Sequence, residues 1–318
     1  MPVVREITTV ASVALPIEEQ WTIRRCRYRP RGESKGRLCI ATGIHGDEMM
    51  GQLIVYGVAR RIMQSEDALL GMVDLYPMLN ALGMDTTERM VPVSARLDMN
   101  RAFPGSEDGT ALEYMCHRIV QDMLGADLVL DVHASTQNKS ELYEVRVGAA
   151  DAARLIPKAR ALCPQLIWVY PDSATYSASL TSALCERGTD AMILEADERR
   201  RRPQDIARVV VDGIFCKMRE MGLWDGPTCD VPRQDAPIVH AKENICRVTC
   251  QNPGVYVPEE LIGTVVSEGQ VLGTVIDALE GVAREQVKAP CSGLVFSQRS
   301  YSAVYPGTLL ARIRKEQA

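Results

Sequence analysis

Through the first two thirds of the chain, short continuous apolar runs alternate with stretches in which apolar residues return every three to four positions. The runs have the length of buried strands, and the spaced stretches have the period of helices with one buried face. Residues 37–42, 71–77, 127–132, 166–170 and 191–194 read as strands, residues 48–64, 112–124, 176–187 and 204–221 read as helices, and residues 80–98 are irregular and polar. Such alternation predicts an α/β architecture, a mixed, mostly parallel sheet with flanking helices. The pattern changes after Trp224. Asp225, Gly226, Pro227 and Thr228 read as a linker, and beyond it valine-rich strands are punctuated by Gly254, Gly263, Gly269, Gly273, Gly281, Gly293 and Gly307. A larger unit over residues 1–224 and a smaller all-β C-terminal unit over residues 225–318 are therefore expected, the latter a pseudo-symmetric barrel or sandwich.

Composition narrows the picture. With 318 residues, 46% hydrophobic and 24% charged, the chain is of the folded globular class and buries a sizeable core. Its 36 basic and 41 acidic residues leave a net charge of −5, which gives no general attraction for polyanions and argues against a nucleic-acid partner. Apolar runs are of the size of Leu166–Tyr170, far short of the ~18 residues of a membrane helix, so no membrane association is expected. Residues 1–15 mix charged groups with a short apolar segment and do not resemble an export signal, which points to the cytoplasm. The ten cysteines are scattered, and in a reducing compartment they read as thiols without disulfides.

Four constellations carry candidate chemistry. Gly43-Ile44-His45-Gly46-Asp47-Glu48 lies between a strand and a helix, and the three-residue spacing of His45 and Glu48 turns a nitrogen and a carboxylate to one side. The competing reading is a helix-starting loop whose acids favour the helix dipole. Asp131 and His133 share one face at the end of an apolar strand, where a carboxylate can orient an imidazole; alone, His133 also fits a hydrogen-bonded histidine at a sheet edge. Together, His45, Glu48 and His133 have the stoichiometry of a catalytic zinc site with a position left for water. Asp98-Met99-Asn100-Arg101-Ala102-Phe103-Pro104-Gly105, with Arg89 upstream, offers an amide and guanidinium groups for a carboxylate or an oxyanion, or else a turn with a structural ion pair. Glu195, at the tip of a strand, is either a proton acceptor for water or a salt-bridged acid. Cys246, Cys250 and His240 lack a fourth ligand at a convincing spacing for a second metal site.

In this order, the motifs resemble those of the succinylglutamate desuccinylase and aspartoacylase family of the zinc carboxypeptidase clan, over residues 37–313. The resemblance implies a zinc carboxypeptidase-like fold, zinc ligation by His45, Glu48 and His133, substrate contacts from Asn100 and Arg101, an upstream Arg89 with Pro92 similarly spaced, and Glu195 as the catalytic glutamate. It also implies that the glycine-rich region has a biotinyl- or lipoyl-like fold that shields the site, bringing Tyr256 or Tyr305 toward the substrate; Lys288 lacks the flanking residues of a carrier lysine. The sequence departs from the family where specificity is set: Ala196 stands in place of a glycine, and Thr181 and Cys185 in place of a tyrosine and an arginine of aspartoacylases. Arg187 or the run Arg199, Arg200, Arg201, Arg202 offers replacement charge, although the run reads better as a solvated helix start and is left out of the site.

The expectation is a zinc-dependent amidohydrolase with one Zn²⁺ per chain, acting on a small N-acyl amino acid, with Glu195 and Arg101 catalytic and Arg89, Asn100 and Arg101 binding substrate. A metallocarboxypeptidase and a non-catalytic binding module are the alternatives, and homo-oligomerisation stays open.

Overall fold

The computed structural model describes residues 3–93, 97–135, 138–171, 177–197, 202–228, 238–240 and 244–316. Residues 199–201 of the arginine run and the side chain of His240 lie outside the described residues.

Among the described residues, ten strands open the chain: β1 (Val4–Ala14), β2 (Gln20–Arg29), β3 (Arg37–Thr42), β4 (Met72–Tyr76), β5 (Leu128–Ala134), β6 (Lys139–Glu141), β7 (Glu144–Gly148), β8 (Leu166–Tyr170), β9 (Ala191–Ala196) and β10 (Ile238–His240). All but β6 form one nine-stranded sheet in the order β1-β2-β4-β3-β5-β9-β7-β8-β10. Its central trio β3, β5 and β9 is parallel, with Thr42 opposite Val132 and His133 opposite Glu195. The carboxyl ends of three neighbouring strands therefore open onto one place, the usual position of a site in an α/β sheet.

Side-chain alternation gives the sheet two apolar faces. Leu38, Ile40, Leu128, Leu130 and Val132 point to one, packed under Ile54, Val58 and Ile62 of α1 (Met50–Gln64). Residues of α4 (Ala152–Arg160) and α6 (Pro203–Glu220) share that core, among them Leu155, Ile214, Phe215 and Met218. Cys39, Ala41 and Val129 point to the other face, against Leu112, Met115 and Ile119 of α3 (Ala111–Met123) and Leu180 and Leu184 of α5 (Leu180–Cys185). Complete burial of each such leucine or isoleucine stabilises by about 2 kcal/mol. Thr110 and Glu113 close a reciprocal capping box at the start of α3, satisfying backbone donors there.

Three features differ from the sequence reading. The first two strands form an antiparallel hairpin where the apolar pattern predicts no element. The irregular stretch after β4 contains a short helix, α2 (Ala81–Thr86), capped by the Asn80 side chain. The helix read over residues 176–187 begins at Leu180, behind a Ser179 cap.

From residue 244 the chain forms β11 (Ile245–Thr249), β12 (Gly254–Pro258), β13 (Val265–Val266), β14 (Val271–Asp277), β15 (Val282–Lys288), β16 (Gly293–Arg299), β17 (Ser302–Val304) and β18 (Leu309–Lys315). These make two antiparallel sheets around a core that includes Tyr256, Leu272, Val275, Val295 and Leu310. β6 joins one of them, pairing Glu141 with Ser297 of β16, so a strand between β5 and β7 is built into the β-rich region.

Candidate active site

The first motif folds as a tight turn between β3 and α1. Gly43 adopts φ of +70°, which a side chain would strain, and a Cβ on Gly46 would meet the Gly83 carbonyl carbon at 2.0 Å. These two glycines let the turn lie against α2 and point His45 and Glu48 toward β5. One strand over, His133 follows Asp131 on the same face of β5.

His45, Glu48 and His133 are all buried, and their ligand atoms lie within 4.8 Å of one another. Nδ1 of His45 is 2.8 Å from Glu48 Oε1, Nδ1 of His133 is 3.0 Å from Glu48 Oε2, and the two Nδ1 atoms are 3.1 Å apart. Each imidazole is held at its far nitrogen by a second carboxylate: His45 Nε2 lies 3.1 Å from Asp98 Oδ1, and His133 Nε2 lies 3.0 Å from Asp131 Oδ2. An ionised carboxylate only accepts, so Asp98 and Asp131 hold a proton on each Nε2, while both Nδ1 atoms face Glu48, where a cation would take the place of a proton. Two imidazole nitrogens and one carboxylate that crowd together in this way suit a divalent cation of the zinc type, with the outer carboxylates fixing ring orientation. Burial opposes charge on the imidazoles, yet Glu48 with Asp98 holds His45 above its ordinary pKa, and Asp131 with Glu48 holds His133 well above it. Burial also opposes ionisation of Glu48, but the two imidazoles keep its carboxyl well below the usual range.

The remaining candidates line the same cleft, which has a volume of about 180 Å³. Arg89 donates from Nη1 to Glu48 Oε1 at 3.0 Å and reaches toward Asp98. Asn100 is buried; its Oδ1 accepts from Leu180 N at 3.1 Å, which turns its amino group toward His133. Arg101 is exposed at the mouth, donating to the Asn100 carbonyl at 2.6 Å. Glu195 is buried beside His133, paired at 2.7 Å with Nη1 of Arg146. Burial lifts the Glu195 pKa above the ordinary value against the pull of Arg146.

The sequence reading missed Lys139, Glu141 and Arg146, which line this cleft, and the role of Asp98 beneath His45. Arg146 also donates to Glu144 at 2.6 Å and Glu141 at 3.3 Å. Burial pushes Glu144 up to about 7, whereas Glu141, equally buried, is held low by Lys139, Arg146 and Arg312. The signal for these residues is an alternation of charges, Lys139 and Glu141 in β6, then Glu144 and Arg146 in β7.

Neither tyrosine expected at the site reaches it. Tyr256 is buried in the β-rich core with its hydroxyl donating to Leu272 O, and Tyr305 is largely exposed away from the cleft lining. Thr181 and Cys185 are outside the lining, as is Arg187, which donates to the Ala183 carbonyl.

The family model of the succinylglutamate desuccinylase/aspartoacylase catalytic domain matches residues 34–215, more than half of the chain. The chain belongs to this family. Membership makes it a hydrolase of the deacylase type. Among solved structures, a succinylglutamate desuccinylase/aspartoacylase from Rhodobacter sphaeroides matches with a TM-score of 0.80 and 21% identity, over 98% of this chain and 96% of that one. The product-bound ectoine utilization protein EutE (DoeB) from Ruegeria pomeroyi matches with a TM-score of 0.79 and 18% identity, over 99% and 95%. A metallo-carboxypeptidase from Burkholderia cenocepacia matches with a TM-score of 0.54 and 13% identity, over 68% of this chain and 65% of that one. At these identities the likenesses establish the fold, that of the zinc carboxypeptidases with a β-rich addition. No curated protein matches the sequence.

Proposed function

We propose that this family member is a zinc-dependent amidohydrolase that splits an N-acyl amino acid into an amine and a carboxylate. The observation that carries the proposal is the convergence of His45, Glu48 and His133 on one point, with Glu195 on the adjoining strand directly opposite His133. Zn²⁺ held by the three ligands supplies positive charge that polarises an amide carbonyl and acidifies water.

The chain's own residues supply the rest. Glu195, buried and raised in pKa, accepts the proton of the attacking water and returns it to the leaving nitrogen. Arg89 and Arg101 bring positive charge to the developing oxyanion. Asn100, its amino group beside His133, lines the cleft, and Arg101 presents a guanidinium at the mouth; together they hold a substrate carboxylate. A cleft of about 180 Å³ favours a small acylated amino acid over the extended chain a carboxypeptidase accepts. The complete constellation favours turnover over simple binding. Buried thiols such as Cys39 and Cys116 suit a reducing, cytoplasmic setting.

The test is a deacylation screen of the zinc-loaded protein over N-acetyl, N-succinyl and longer N-acyl amino acids beside short peptides. Release of free amino acid from one acyl class, with peptides left intact, is expected; peptide trimming without deacylation contradicts the proposal.

A further inference from the structure

The wall of the cleft opposite the three ligands is built jointly by the large sheet and the β-rich region. After β5, which carries His133, the chain enters the β-rich region as β6, pairs with β16 through Ser297, Gln298 and Arg299, and returns to the large sheet as β7. Leu142, Leu166, Trp168, Val239 and Phe296 form a small apolar cluster at the junction, with Trp168 edge-on to Phe296. Above it, Glu141 of β6 accepts from Lys139 and Arg146 on Oε2, at 2.8 and 3.3 Å, and from Arg312 of β18 on Oε1, at 3.2 Å. The guanidinium groups of Arg146 and Arg312 both lie over the Trp168 ring, at 4.8 and 5.0 Å. Charge pairs therefore run without a break from β18 to the cleft: Arg312, Glu141, Arg146, Glu195.

A buried charge deprived of one partner draws harder on those that remain. Among the described residues, Arg312 is the cation on Glu141 Oε1, while Arg146 donates to Glu141, Glu144 and Glu195. Without Arg312, Glu141 competes more strongly for Arg146, and Glu195 loses the contact that fixes its carboxylate. We infer that Arg312, in the β-rich region, is a positioning residue for the reaction, holding Glu195 in place through Glu141 and Arg146. The inference rests on the reading of Glu195 as proton acceptor.

The test compares zinc-loaded, full-length Arg312→Gln with the wild type, on the best substrate of a panel of N-acetyl and N-succinyl amino acids. A kcat lower by about tenfold with KM within about twofold is expected, and Arg312→Lys, which keeps the charge but not the fork, recovers to within about threefold. An unchanged kcat, or a loss confined to KM, overturns the inference. If Arg312→Gln fails to fold, Arg312→Met, which keeps an apolar stem beside Trp168, reads the same coupling: a lowered kcat at constant KM supports it and a wild-type kcat overturns it. Glu195→Gln run in parallel separates the two layers. Loss of turnover there beside a fully active Arg312→Gln removes the coupling and leaves the proton acceptor in place; wild-type turnover in Glu195→Gln removes both.

Discussion

On one side of the cleft, His45, Glu48 and His133 surround a single point, each imidazole backed by its own carboxylate. On the other side, Glu141, Glu144 and Glu195 share Lys139, Arg146 and Arg312 in a network that balances itself. The first wall directs ligand atoms toward one point, whereas the second pairs its carboxylates with its own cations and leaves Glu195 at the edge of the cleft. The difference separates two tasks: holding a cation, and holding a proton acceptor at a fixed distance from it. Among the described residues, the β-rich region meets the second wall, through Arg312.

The sharpest way to break this division is Glu195→Gln. It alters only the second wall, so bound zinc is expected to persist while kcat falls by about 10²–10⁴-fold; loss of metal together with turnover would show that the walls are not separate. Asp131→Asn alters only the first wall and is expected to weaken zinc affinity by about 10–100-fold, read by competition with a chelator. Gly46→Ala tests how rigid the first wall must be. Its Cβ would enter backbone at Gly83, and a destabilisation of about 1–3 kcal/mol, measured by thermal or denaturant unfolding, is expected. The smallest effect concerns pH. Only ionised Glu195 accepts a proton, and burial raises its pKa, so kcat is expected to fall as pH drops through a midpoint above the usual glutamate value. Arg146 opposes that rise, so Arg146→Gln moves the acid limb further upward; a limb at the ordinary value in both proteins would contradict the account.

Much of the first wall was legible in the sequence, because its residues sit at the ends of strands whose two faces are buried and which read as unbroken apolar runs. Strands over 37–42 and 166–170 stand where the pattern put them. The β1–β2 hairpin was not legible: its outer strand is mostly exposed and mixes threonine with charged residues, so the period-2 signal is weak. β6 and β7 escaped for the opposite reason. Glu141 and Glu144 occupy buried positions that a hydrophobic pattern assigns to apolar residues, and pairing makes them tenable there, Glu141 with Lys139, Arg146 and Arg312 and Glu144 with Arg146. That pairing depends on β16 and β18 folding back from the far end of the chain, which no local spacing records. The tyrosines expected near the substrate failed similarly, since Tyr256 is needed to fill the β-rich core.

Metal analysis of protein purified without chelators, with His45→Ala and His133→Ala beside it, bears most directly on the central claim. One divalent ion per wild-type chain, and none in either variant, is the predicted result. Full metal content in the variants, or a wild-type chain that fails to take up zinc at all, would contradict it.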